Sequence, residues 1–474
     1  MAAFDRERLR RMGEPNVMVP IALVAFLLLV AVCFAFVEPR RAVLFTMLGG
    51  WLFLPHFDER YKFLILGSKA TFVGAAVILG SLLLDGKRWR GFRPQLLDLP
   101  IAVLCLGPFV TSLYNDLGAY EAAAATFDSS MTWGAPYLLG RLYLGRPGGL
   151  RDAANALVVA ALVYVPLCLW EVRMSPQLHT TVYGFRPFSF EQAYRWGGFR
   201  PSVFMQHGLA AGMFMASGTL IAFWLWRTGA RRHIAGLPLG WACLLLAVTT
   251  VLSKSTGAII LLAVGVAVLE STRALRTSAL LLTLLLVPVA YCAARVSGWN
   301  GETLVAMSRD VIDVGRSQSI EFRIHNEDIL IKKAMMRPWL GWGRYGRSFF
   351  LENEDGERET AITDGYWIII LGIRGFIGLV AMGALLAAPF LALLWIYPGR
   401  FWTDPRLAAP AAVAVMLLLW AVDNLFNAMP SPVYPAMAGA LVTFVLSARA
   451  ASTQPARPVR RPRPRLAFQR SPGT

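Results

Sequence analysis

VMVPIALVAFLLLVAVCFAFV, residues Val17 to Val37, carries no charged side chain over its whole length. About 20 helical residues, at ~1.5 Å each, cross a hydrocarbon core of ~30 Å, so this stretch is long enough to span a bilayer. Comparable apolar runs recur as far as Ser447, with no room between them for a soluble domain of ordinary size. Hydrocarbon offers no partner to a bare backbone N–H or C=O, so such runs must be helices or barrel strands, and their length excludes strands. The expected fold is all-α: a polytopic integral membrane helical bundle of about 12 transmembrane helices.

The totals agree. Of 474 residues, 56% are hydrophobic and only 16% charged, and the mean hydropathy is +0.52, which excludes a water-facing globule. A net charge of +17 raises the question of nucleic acid. Its excess, however, sits in Arg6 to Arg11, the Arg227 to His233 turn and the tail, the distribution of a positive-inside signal. No nucleic-acid partner is expected. The five cysteines stand singly inside apolar runs and read as packing residues, and the five histidines are scattered, so neither a metal nor a cofactor is expected. The first run is too long, and too poorly marked by a cleavage site, for a secretory signal.

Residues 1–16 read as a basic cytoplasmic N-terminus, 17–448 as the bundle, and 449–474, where Arg alternates with Pro, as a disordered cytoplasmic tail. The run Ala42 to Leu54 is apolar but rises only about 20 Å, so it is expected to be interfacial or re-entrant. Twelve spans without it put the N-terminal arginines, the Lys87 to Arg93 loop, the Arg227 to His233 turn and the tail on one side, the cytoplasm. Two long connections, 171–206 and 294–365, then lie outside. The first is rich in aromatic residues and Arg; in the second, the periodicity from Ile320 to Met336 predicts an amphipathic helix.

Charges stand where a membrane discourages them. Arg173, Arg186, Arg195 and Arg200 share the first outer loop. Lys69 and Arg374 fall inside outer half-spans, Lys254 at an outer turn, and Asp423 about one and a half turns from the outer end of its span. Each alone is equally a snorkelling or lipid-facing residue. Together, at headgroup depth, they suit a site for a lipid-linked phosphate or pyrophosphate, since Arg presents forked donors to phosphate oxygens.

Three stretches carry a resemblance: RPSVFMQHGLAAG from Arg200, FRIHNEDILIKKAMMRPWLGWGRYG over Phe322 to Gly346, and DGYWIIILGIRGFIG over Asp364 to Gly378. With the order of spans and the loop sizes, they resemble the O-antigen ligase and O-antigen polymerase superfamily of bacterial membrane glycosyltransferases. In the ligases the third stretch begins with His; here the glycine spacing is kept through Gly365, Gly375 and Gly378, but Asp364 stands at the His position. That favours a polymerase, or a related exopolysaccharide branch, over a ligase. The resemblance implies an inverting, metal-independent enzyme of the bacterial inner membrane that moves a glycan from an undecaprenyl-pyrophosphate carrier to an acceptor saccharide. It also implies chain-length or export proteins of a polysaccharide pathway as partners. The competing class is a transporter, a flippase of the same lipid-linked oligosaccharide, although neither internal repeats nor midplane charges are evident.

Within that reading Arg200 and Arg323 are the expected cations at the departing pyrophosphate, with Lys69, Arg195, Arg374, Lys254 and Asp423 as substrate-binding candidates. Asp364 is either the base that takes the acceptor proton or the N-cap of the helix that follows, with equal weight. Gly341 and Gly343 suit a turn, Gly375 and Gly378 close helix packing, and Glu352 to Glu359 a solvated loop. Trp196, Trp339, Trp342 and Tyr345 are either sugar platforms or ordinary interfacial aromatics.

Overall fold

A computed structural model of the chain describes residues 13–57, 67–146, 148–303, 306, 314–344, 346–352, 358–362 and 364–453. Arg6 to Arg11, the tail beyond residue 453, Tyr345, Thr363 and most of Glu352 to Glu359 lie outside the described residues.

Helices dominate. In chain order they are α1 (Met18–Phe36), α2 (Pro39–Phe53), α3 (Lys69–Leu84), α4 (Leu99–Tyr114) and α5 (Ala119–Ser129), which runs on through two wide π turns to Leu144. Next come α6 (Gly149–Met174), α7 (Gly208–Arg227), α8 (Leu239–Leu252), α9 (Thr256–Ala274) and α10 (Ala279–Val296). The last four are α11 (Val314–Met335), α12 (Tyr366–Ile396), α13 (Ala408–Asp423) and α14 (Val433–Thr453). Eight described helices are long and apolar enough to cross a membrane, while α3, α8 and α13 are apolar but shorter. The bundle is turned inside out relative to a soluble one. Leu27, Leu28, Leu83, Trp241, Leu286, Val289 and Val380 are exposed, an apolar coat whose natural solvent is lipid. α13, apolar on every face, is buried from Ala408 to Trp420 and forms the centre with α7.

Two short polar devices fix the ends of the bundle. At one end Arg141 grips Asp98 in a buried fork, Nε to Oδ1 at 2.7 Å and Nη2 to Oδ2 at 2.8 Å, with the Tyr137 hydroxyl donating to the same carboxylate at 2.6 Å. Arg40 meets Asp152 at 2.8 Å at that end too, close to the start of α6. At the other end the backbone N–H of Asn16 donates to the Tyr183 carbonyl, and Tyr183 donates to Phe53.

The run Ala42 to Leu54 belongs to helix α2 as far as Phe53. Helix α2 begins at Arg40's end, at Pro39, and reaches the opposite end, where the Leu52 carbonyl accepts from Tyr164 and the Leu54 carbonyl from Lys69. Its 15 residues thus run from the level of Asp152 to that of Tyr164 on α6. Pro39 at the first helical position lengthens the helix beyond the apolar run itself, and burial of Ala42, Val43, Met47 and Trp51 holds it inside the bundle.

The predicted amphipathic helix is α11. Its apolar face, with Ile329, Leu330, Ile331 and Ala334 buried, packs near the start of α12 against Trp367, Ile368 and Leu371. A polar anchor adds direction: Glu327 accepts from Arg295 at 3.0 Å, Tyr291 at 2.9 Å and the Trp367 indole at 3.2 Å, while Arg295 also holds Asp328 at 2.8 Å.

Helix α12 is broken at Gly375, where φ is 63°. The LGWG turn fills the break. Trp342 and Gly343 donate to the carbonyls of Gly372 and Ile373, and Phe376 and Ile377 donate back to Pro338 and Trp339. Both Gly375 and Gly341 have positive φ, and a Cβ at Gly375 would strike the Trp339 carbonyl. Only glycine suits both the conformation and the approach. The turn expected at Gly341 and Gly343 is thus a backbone clamp on the kink.

Candidate functional site

The site lies at the bundle end where the two long loops fold, and it is built from four separated segments. The first is the Arg200 turn. Glu171, at the end of α6 and fully buried, accepts the backbone N–H groups of Ser202 at 2.8 Å and Val203 at 2.7 Å on one oxygen, and that of Leu178 at 3.0 Å on the other. Lys69 Nζ closes the far side, donating to the carbonyls of Phe204 at 3.0 Å and Leu54 at 2.7 Å. Arg200 is thereby set on a rigid turn. It is 6% exposed, and its Nη2 donates to the carbonyl of Lys254 at 3.2 Å, while the Lys254 ammonium reaches the Trp196 carbonyl at 3.4 Å.

His207 follows at the N-cap of α7. Its Nδ1 accepts from the Leu209 N–H at 3.1 Å, which leaves Nε2–H to donate to Gln192 at 3.2 Å. Burial, and then the neighbouring Arg200, Arg195 and Arg323, push its pKa down to about 3. All three arginines are thus near enough to act on this ring, although they come from different parts of the two loops.

Arg323 on α11 supplies the second segment and Asp364 the third: Nε to Oδ2 is 3.0 Å, with both side chains partly exposed. The N-cap alternative for Asp364 is set aside here. Helix α12 starts at Tyr366 with Gly365 as its cap residue and no side-chain cap hydrogen bond, so the carboxylate faces Arg323. The fourth segment is the turn after α13. The Asn424 carbonyl accepts from the N–H groups of Tyr366 and Trp367, which seats the start of α12 beside Asp423. Asp423 is 5% exposed, accepts from Asn427 at 2.6 Å and interacts electrostatically with Arg323. It also lines a cavity of about 20 Å³ with Ser217, Ser431 and Tyr434, room for roughly one water.

Arg200, Arg323, Asp364, Arg195, Lys254 and Asp423 therefore come together. Two candidates do not. Lys69 is the first residue of α3 rather than a residue deep within a span, and its ammonium is committed to two carbonyls. Arg374 donates to the Leu104 carbonyl and to Ser129, each at 3.0 Å, bracing α12 against α4 and α5. Both are positioning residues. Asp423 also differs from expectation, being the last residue of its helix. Among the aromatics, Trp196 and Trp339 are exposed, whereas Trp342 is enclosed by cations.

Glu171, His207 and Gln192 were not singled out by sequence reasoning. Glu171 had a signal, a carboxylate in the last turn of an apolar span, whereas Gln192 had none.

Such an arrangement can hold an anion between guanidinium groups with a carboxylate beside it to accept a proton. No protein-family model matches this chain, and no curated protein matches it.

Proposed function

We propose that the chain is a polysaccharide polymerase-like glycosyltransferase at the outer face of a bacterial inner membrane. It joins a glycan carried on a polyprenyl pyrophosphate to the hydroxyl of an acceptor saccharide. The observation that carries this reading is the convergence of Arg200, Arg195 and Arg323 around His207, with Asp364 ion-paired to Arg323.

In that reaction the acceptor oxygen attacks the anomeric carbon from the side opposite the carrier, forming the new glycosidic bond as the bond to the pyrophosphate oxygen breaks. Configuration inverts. The electron pair leaves on the pyrophosphate, where Arg200 and Arg323 stabilise the growing charge, and the hydroxyl proton passes to Asp364. The ion pair lets Arg323 serve both ends of the step: it orients the carboxylate and faces the leaving group. The neutral His207 keeps further positive charge out of a place where three arginines already repel one another. No metal is required by this scheme, and polymerisation is preferred over ligation because Asp364 stands where the ligases resembled here carry His.

Replacing Asp364 by Asn and Arg200 by Ala separately, in cells, tests the proposal. Loss of long polymer with single lipid-linked units accumulating outside the membrane is the expected result. Accumulation inside would mark a flippase instead, and normal polymer in both variants would remove the site.

A further inference from the structure

A second group of cations lies apart from the site just described and is not used by it. Trp342, in the LGWG turn, has its indole N–H fixed on the Lys333 carbonyl at 2.9 Å. Three cations gather on its ring: Lys333 Nζ at 4.0 Å, the Arg337 guanidinium at 4.6 Å and that of Arg347 at 6.0 Å. Lys333 also lies 4.8 Å from the Phe350 ring, and Arg337 lies 6.0 Å from Tyr114 while donating to Asn115 Oδ1. Lys333 is 8% exposed. Nη1 of Arg347 is buried and finds no acceptor among the described residues, and among them no carboxylate lies within ion-pair distance of Arg337 or Arg347.

The Arg337 and Arg347 guanidinium groups on this ring repel one another, and the quadrupole of a single indole offsets only part of that repulsion. A buried guanidinium nitrogen with nothing to donate to is a costly arrangement unless an anion completes it. The turn that carries the group is rigid, because it is clamped to the α12 kink through Gly341 and Gly375. Lys333 stands ten residues beyond Arg323 on α11, roughly 15 Å along the helix, too far for one phosphate to touch both.

We infer that Lys333, Arg337 and Arg347 form a second anion site, floored by Trp342, that takes a phosphate group. Two guanidinium forks and an ammionium suit a tetrahedral anion with several oxygens better than they suit a lone carboxylate. The same chemistry is offered by the headgroup of an anionic phospholipid and by a free diphosphate. The site exists whether or not the chain transfers sugars.

The test uses the full chain carrying Arg200→Ala, so that the first site does not contribute. Titration with inorganic pyrophosphate in an uncharged detergent is followed calorimetrically. In parallel, native mass spectrometry counts phosphatidylglycerol retained from nanodiscs of phosphatidylcholine and phosphatidylglycerol. Binding of either anion, weakened about tenfold or more by Arg347→Gln and by Arg337→Gln, supports the site; Arg344→Gln, which removes a more exposed arginine paired with Glu121, leaves binding unchanged. Retention of lipid without pyrophosphate binding assigns a headgroup, and pyrophosphate binding assigns a free or carrier diphosphate. Failure of both anions to bind, or equal losses in the Arg344 and Arg347 variants, overturns the inference. Matching elution profiles of the variants on size exclusion separate a lost site from a lost fold.

Discussion

Glu171 is the residue on which the Arg200 turn depends, and replacing it by Ala isolates that dependence. One carboxylate oxygen accepts two backbone N–H groups, from Ser202 at 2.8 Å and Val203 at 2.7 Å, while the other holds Leu178. Alanine removes both acceptor oxygens. Both turn bonds are then lost. Hydrogen bonds to a charged group contribute about 1.5–3 kcal/mol each, so the turn should lose roughly 3–6 kcal/mol of local stability. Since about 1.4 kcal/mol is a factor of ten, amide exchange at Ser202 and Val203 should quicken by about a hundredfold or more in a hydrogen-exchange measurement on the detergent-solubilised chain. Exchange in α13 should stay as it is. Rates at Ser202 and Val203 within about threefold of the parent would refute the claim that this carboxylate holds the turn.

Other outcomes follow from the same contacts. Asp98→Asn leaves Arg141 buried without its counter-charge and should cost about 3–5 kcal/mol, read as a clear fall in unfolding temperature; replacing both residues by apolar ones should recover much of it. Gly375→Ala forces a positive φ and a backbone clash at Trp339 and should cost more than about 2 kcal/mol, whereas Gly383→Ala, with open space around it, should be near neutral in the same unfolding assay. His207 is held at about 3 against an ordinary 6.5. The folded ring therefore stays neutral while an opened one takes up a proton, so the stability of this cap is full above pH 6.5 and declines as the pH falls towards 3, by at most about 1.4 kcal/mol per unit. Exchange at the Leu209 amide, corrected for intrinsic rate, should rise between pH 7 and 5 in the parent and stay flat in His207→Asn, which keeps a capping acceptor.

The membrane bundle was legible because its signal is physical and local: an apolar run of sufficient length has few other uses. The same length rule set Ala42 to Leu54 apart from the spans, and it does not see that Pro39 starts the helix early or that Tyr164 and Tyr183 tie down its far end. Arg200, Arg323, Asp364 and Asp423, which lie together at one end of the bundle, were singled out through charge at an unexpected depth or through motif spacing. Lys69 and Arg374 carry the same signal for a different reason. Their partners are backbone carbonyls and a serine from distant helices, and a sequence gives no sign of which carbonyl will be left without a donor. The Asp364 cap was a sound local inference, but an arginine 41 residues earlier competes for the carboxylate, and that pairing is set by how α11 lies across α12.

The central claim, that this arginine cluster promotes transfer from a polyprenyl pyrophosphate, is met most directly by one rate. Purified chain in vesicles is given a polyprenyl-pyrophosphate oligosaccharide, and release of free polyprenyl pyrophosphate is followed as the glycan lengthens. The account predicts release coupled to elongation, with a loss of about a hundredfold or more in Arg323→Ala. An Arg323→Ala chain that elongates glycan as fast as the parent would contradict it.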